Sequence, residues 1–172
     1  MDKTIKDFKK FFIDQGFEAI ETDYDQRGYH LEIVLNESQV RKFAKTAYEH
    51  GFYLVFVAGF HVRPEPENDT GNSGLKVVYQ FARYDRKYRI KARASVPKSL
   101  KIPTISDIYQ GADWHERETR DLYGIIFSGH PNLKPLLLSE LDADFHPLLK
   151  EEEKLKSLNE VSWPSESQEN TE

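Results

Sequence analysis

The chain has 172 residues, with 24 Lys and Arg against 29 Asp and Glu, a formal charge of -5, no cysteine and one methionine. This length suits one domain, and 11 Phe with 9 Tyr supply the large apolar area of a core despite an apolar share of only 38%. The lack of cysteine excludes disulfides, Cys-ligated zinc, thiol catalysis and protein-bound iron–sulfur clusters in this chain, and fits a reducing compartment. The longest apolar run, residues 53–60, falls far short of the roughly 20 residues a spanning helix needs. The N-terminus alternates charges and lacks a signal-peptide core. The expectation is an intracellular, soluble chain, or one held at a membrane through partners.

Residues 4–16 read as a first helix: Ile5, Phe8, Phe12 and Ile13 recur at helical spacing, Phe11 widens the stripe and Gly16 can end it. Two strands follow, from Phe17 to about Asp23 and from Tyr29 to Leu35, joined by a turn at Asp25–Gly28. A second helix begins near Ser38 as cap, places Val40, Phe43, Ala44, Ala47 and Tyr48 on one face, and ends at His50-Gly51. The apolar run from Phe52 to Phe60 then reads as a buried strand. His61 to Gly74, rich in Pro, Gly and Asn, reads as a long loop.

Residues 75–84 and 87–96 form a hairpin across the turn 84–87, and Pro97 and Pro103 end the sheet. The predicted order is α-β-β-α-β-β-β, an α+β two-layer domain with helices on one mixed five-stranded sheet. A short helix near 113–123 and an extended, proline-bearing C-terminal segment follow. The domain limits are 1–124, an extended partner-binding segment 125–156, and an acidic tail 157–172 too poor in large apolar residues to order itself.

Charge is segregated. Residues 75–101 hold nine basic side chains and one acid, whereas residues 139–172 hold ten acids and three lysines. Because strand side chains alternate, Lys87, Arg89, Lys91 and Arg93 share one face, while Tyr88, Ile90, Ala92 and Ala94 turn to the core. That basic face reads as a solvated surface, a docking face for a partner, or a nucleic-acid surface served by Tyr79, Phe81 and Tyr84.

Constellations for independent catalysis are missing from the sequence. The histidines 30, 50, 61, 115, 130 and 146 do not fall at short metal-ligand spacings. No glycine-rich phosphate loop or nucleophile elbow is present. Glu116 and Glu118, two apart on a helix, diverge too far for paired acid–base work.

The segment 111–138 is different. Asp113 and Glu116 have capping-box spacing, Glu116 with Arg120 and Arg117 with Asp121 have ion-pair spacing, and Gly124 can end the helix. Exposed pairs of this kind contribute only about 0.3–0.5 kcal/mol each. A solvated, ion-paired helix is therefore the plain reading. Against it, Trp114, Leu122, Tyr123, Ile125, Ile126 and Phe127 crowd apolar mass around the charges and point to a partly buried network at a protein–protein surface.

Glu116-Arg117-Glu118, Asp121-Leu122-Tyr123-Gly124, His130 and Lys134-Pro-Leu-Leu137, at these spacings, resemble the signature of the 30 kDa subunit family of respiratory complex I. This is the family of the C subunit of NADH-quinone oxidoreductase. It has counterparts in membrane-bound energy-converting hydrogenases and sulfur reductases. The element order upstream is also similar to that family, and Phe145-His146-Pro147-Leu148 resembles a short element that follows its signature. The sequence departs from the family pattern at Leu149-Lys150 and in its reduced C-terminal extension.

The resemblance implies a non-catalytic accessory subunit of a membrane-associated electron-transfer complex, without a cofactor of its own. It would dock the large catalytic subunit, of quinone-site or nickel–iron hydrogenase type, beside iron–sulfur subunits. Iron–sulfur clusters, with flavin or a nickel–iron centre, would reside in those partners. The chain would lie peripherally on the cytoplasmic side of the inner membrane. Trp114, Glu116, Arg117, Glu118, Asp121, Tyr123, Gly124, His130, Pro131 and Lys134 would form the junction motif, acting by ion pairing, capping and chain direction. Residues 125–149 would lie along the partner. The alternative expectation is a free nucleic-acid-binding domain that uses the face of Lys87, Arg89, Lys91 and Arg93.

Overall fold

The alternation of Leu31, Ile33 and Leu35, and of Ile90, Ala92 and Ala94, creates two strands each buried on one face, and these become neighbours at the centre of a sheet. The computed structural model describes residues 3–62, 72–84 and 88–150. Helix α1 (Lys3–Asp14) leads to β1 (Glu18–Glu21), a single helical turn α2 (Tyr24–Arg27), β2 (Leu31–Leu35), α3 (Val40–Glu49) and β3 (Tyr53–His61). Then come β4 (Asn72–Arg83), β5 (Tyr88–Pro97), β6 (Lys101–Pro103), α4 (Ala112–Tyr123) and β7 (Ile126–Ser128).

The first five strands lie in the order β1-β2-β5-β4-β3, with β2 and β5 parallel and the other neighbours antiparallel. The fold is therefore the expected α+β arrangement on a mixed sheet. An aromatic core joins the layers: Phe43 of α3 stands 5.4 Å from Phe12 of α1 and 5.6 Å from Phe81 of β4, centroid to centroid.

Several local readings change. The cap before α3 is Asn36, whose side chain accepts the Gln39 N–H at 3.1 Å while the Gln39 side chain accepts the Asn36 N–H at 3.1 Å. Ser38 merely donates its hydroxyl to Asn36 at 2.7 Å. The turn at 25–28 is the end of α2, capped by Asp23 and closed by Gly28 at φ 75°. β1 is shorter than Phe17–Asp23. The loop expected over 61–74 is trimmed at both ends by strands, and residues 63–71 lie outside the described residues. So do 85–87, most of the expected hairpin turn, and 151–172, which include the tail expected to be unordered. Pro103 does not end the sheet but belongs to β6, which pairs in parallel with β7 in a small second sheet.

The largest revision concerns β3. Its apolar run reads as a buried strand, yet it forms the sheet edge, and Val57 is its one fully buried residue. The run is apolar because α4 lies across β3. A Cβ added at Gly59 would come within 2.7 Å of the Tyr123 ring and 2.8 Å of the Thr119 methyl. Gly59 pairs with Val77, on the same sheet face as Phe81, so α4 joins α1 and α3 in one layer. Gly59→Ala is expected to cost about 1–3 kcal/mol through overpacking. Urea unfolding measures it, and an unchanged midpoint would contradict the close approach.

Candidate functional site

Helix α4 carries the charged motif, and Glu116, Thr119 and Asp121 turn inward. Gly111, the residue before it, provides no side-chain cap, so Asp113 sits in the first turn without forming the expected capping box. Glu116 is fully buried. One carboxylate oxygen accepts the Ile105 N–H at 2.8 Å, and the other accepts the Thr104 hydroxyl. Burial pushes its carboxyl up to about 7 against the lowering effect of these two donors, and Asp113 and Asp107 raise it further.

The segment bearing those donors is fixed from the other side. Arg41 of α3 binds Asp107 through two bonds of 2.8 and 2.7 Å and donates to the Thr104 carbonyl at 2.8 Å. Tyr109 donates to the Phe52 carbonyl at 2.9 Å.

Asp121, also fully buried, holds the chain that follows β7 as a strap along the helix. Its Oδ2 accepts three successive backbone N–H groups, from Leu136 at 2.7 Å, Leu137 at 2.8 Å and Leu138 at 3.3 Å. Its Oδ1 accepts from Arg120 at 3.1 Å. Burial alone would raise this carboxyl, but the three N–H groups and Arg120 outweigh it and hold it below the usual carboxylate range.

One turn earlier, Arg117 donates from Nε to the Lys134 carbonyl at 3.1 Å and from Nη2 to the Pro135 carbonyl at 3.0 Å. Thus neither expected i,i+4 pair forms. Arg120 pairs with its neighbour Asp121, and Arg117 binds backbone.

Further contacts close the strap around α4. His130 is buried at its ring: Nδ1 accepts the Asn132 N–H at 3.1 Å and Nε2 faces the Asp113 carbonyl at 3.2 Å. In this arrangement Nε2 carries the hydrogen given to the Asp113 carbonyl and Nδ1 serves as acceptor. Gly124 ends α4 at φ 72°, and a Cβ there would lie 2.7 Å from the His146 ring. His146 Nδ1 donates to the Asp121 carbonyl at 2.9 Å, the Leu148 N–H to the Leu122 carbonyl at 3.1 Å, and the Lys150 N–H to His61 at 3.0 Å.

Of the other motif residues, Tyr123 packs on Gly59, Glu118 stands 3.9 Å from His115, and Pro131 and Lys134 are exposed side chains. Trp114 is 66% exposed with Arg117 over its ring at 5.9 Å. Sequence reasoning missed Thr104, Ser106, Gly59, Arg41 and Asp107.

The basic face of β5 is elsewhere, on the side of the sheet away from α4. Glu32 of β2 binds Arg93 at 2.7 Å and approaches Lys91 at 3.8 Å, and Lys91 also lies over the Tyr29 ring at 5.1 Å. Arg89 is exposed, and Lys87 lies outside the described residues. Among the described residues no group of three or more His, Asp or Glu is placed to hold a metal ion, and no helix is long and apolar enough to cross a membrane.

Because Asp121 is held below its ordinary value, its stabilising effect is present above the unfolded carboxylate value and is lost as pH falls towards the folded one. Asp121→Asn is expected to destabilise by about 2–4 kcal/mol near pH 7 and to flatten this acid limb. Unfolding free energies measured from about pH 2.5 to about pH 7, which spans a carboxylate transition, check both effects. Equal acid limbs in the variant and the parent would contradict the assignment.

Known proteins resemble this chain in sequence and in fold. A family model described as "Respiratory-chain NADH dehydrogenase, 30 Kd subunit" matches residues 33–157, including all of α4 and its strap. The chain is 41% identical to the C subunit of NADH-quinone oxidoreductase from Mesorhizobium japonicum over 75 residues, 44% of this chain and 37% of that protein. It is 34% identical to the corresponding subunit of Phenylobacterium zucineum over 104 residues, 60% of this chain and 46% of that protein. The matches thus span less than half the length of these relatives.

Two solved structures share the fold. One is a trypsin-resistant fragment of Nqo5, with a TM-score of 0.62 and 24% identity, covering 75% of this chain and 98% of the fragment. The other is a chain of the membrane-bound sulfane sulfur reductase, an archaeal respiratory membrane complex, with a TM-score of 0.68 and 18% identity, covering 96% and 99%. Since the family model covers well over half of the sequence, the chain belongs to the respiratory-chain NADH dehydrogenase 30 kDa subunit family.

Proposed function

We propose that this chain is a non-catalytic subunit that docks the large catalytic subunit of a complex I-related electron-transfer assembly, using the outer side of α4 and its strap. The observation that carries the reading is the division of labour on α4. Glu116, Asp121 and Arg117 are bound to the chain's own backbone or hydroxyls, while large apolar side chains of the same region remain outside. Trp114, Leu137 and Phe145 are 66%, 60% and 64% exposed, and Ile126 and Leu148 accompany them. Exposed apolar groups on a rigid support are the usual composition of an interface centre.

On this reading the motif acts indirectly. Its charges freeze the strap, and the strap presents the apolar anchors at fixed positions, which lowers the ordering cost of association. Iron–sulfur clusters, together with flavin or a nickel–iron centre, belong to the partner subunits. The chain reaches the cytoplasmic side of the inner membrane through those partners. The solved relative from a membrane-bound sulfane sulfur reductase and the relatives from NADH-quinone oxidoreductases support an assembly of this kind.

Affinity purification of the tagged chain from its native membranes is expected to recover a large catalytic subunit and an iron–sulfur subunit. Recovery of the chain alone in the soluble fraction would contradict the proposal. Trp114→Ala with Phe145→Ala is expected to weaken that recovery by roughly tenfold or more, as loss of interface anchors does, with little effect on the melting temperature of the isolated chain. Arg117→Ala acts through the strap and is expected to lower recovery more than it lowers the isolated chain's stability. Equal losses in both measurements would contradict the distinction.

A further inference from the structure

The Glu116 cluster has an arrangement that docking does not require. A buried carboxylate normally faces a cation, yet Glu116 Oε2 meets the Thr104 hydroxyl, and Thr104 Oγ1 in turn lies 2.8 Å from Ser106 Oγ. All three residues are buried, and Ser106 at 7% exposure is less enclosed than Thr104 at 2% and Glu116 at 0%. His130 Nε2 stands 3.9 Å from the carboxylate but is directed to the Asp113 carbonyl, and its Nδ1 is occupied by the Asn132 N–H. On the sheet side lies Tyr79, whose buried hydroxyl has no hydrogen-bond partner among the described residues. Asp113 and Asp107 add negative charge around Glu116, and Arg41 is bound to Asp107.

We propose that Glu116, Thr104 and Ser106 form a proton-exchange relay, in which a solvent proton reaches the buried carboxylate through two hydroxyl groups. Before uptake, Ser106 donates to Thr104 and Thr104 donates to the carboxylate. A proton arriving at Ser106 Oγ displaces the Ser106 hydrogen onto Thr104, and the Thr104 hydrogen moves to Glu116. Each hydroxyl keeps one hydrogen, and the carboxylate becomes a neutral carboxyl that donates back to Thr104. Thr104 then donates to Ser106, so every bond in the series is retained with its direction reversed. The Ile105 N–H continues to donate to Glu116 in both states. The His130 ring closes the inner side, with its Nε2 on the Asp113 carbonyl at 3.2 Å.

Burial, by placing this carboxyl at about 7, makes both states accessible near neutrality. Folding therefore favours proton uptake, and stability from this group is full below about 4.5 and is lost as pH rises towards about 7. The site needs no partner and stands apart from the docking proposal.

The test is a pH titration of the full chain with carboxyl-13C glutamate, followed by NMR, with Glu116→Gln assigning the resonance. The expected result is one glutamate titrating near 7, well above the others, as a single moving line in fast exchange. Thr104→Val, which removes a donor to the charged form, is expected to shift the midpoint higher. Ser106→Ala is expected to leave the midpoint nearly unchanged and to broaden or split the line. A Glu116 resonance titrating with the surface glutamates would overturn the site. A line in Ser106→Ala as sharp as the parent's would overturn the route.

Discussion

A carboxylate that is out of water but still charged must be surrounded by donors, and Asp121 meets that need with three consecutive backbone N–H groups of the strap. Arg117, one turn earlier, takes the carbonyls just before them. Together they let one face of a helix pair with an extended chain, acceptor to donors and donor to acceptors. The backbone groups of residues 134–138 would otherwise require water or another strand. The path of the chain after β7, and hence the position of every exposed apolar side chain on it, depends on this pairing.

The pairing only works because α4 is itself held. Gly59 lets Thr119 and Tyr123 descend onto β3, and the absence of a side chain there sets the height of the helix above the sheet. Arg41 and Asp107 tie the segment beneath α4 to α3, and Glu116 binds that segment from above. His146 then covers the αL glycine that ends the helix. Sheet, helix and strap form one chain of support from the core to the outer surface. Apart from the exposed Arg41–Asp107 pair, bonds from charged side chains to backbone groups make most of the connections.

Much of this organisation was legible in the residues. Period-two alternation located β2 and β5 and their buried faces, and helical spacing located α1, α3 and α4. The charged motif also marked the right segment. Its internal wiring was not legible, because Asp121 and Arg117 bind backbone groups 15 to 18 residues ahead, and backbone donors leave no trace in side-chain spacing. Helical i,i+4 rules see only neighbours on the same surface. The edge position of β3 was hidden for a related reason: a helix lying across an edge strand demands the same apolar run as burial inside a sheet. β6 and β7, three residues each, are too short to carry a period.

In the proposed reading the charged residues of the site serve the chain itself, and Trp114, Ile126, Leu137, Phe145 and Leu148 face outward. The strap's rigidity must then be intrinsic to the isolated subunit and not conferred by assembly. Amide hydrogen exchange of the isolated full chain at Leu136, Leu137 and Leu138 tests this most directly. The account requires protection of these three amides comparable to that of the central strands β2 and β5. Exchange at unprotected rates, while those strands stay protected, would contradict it.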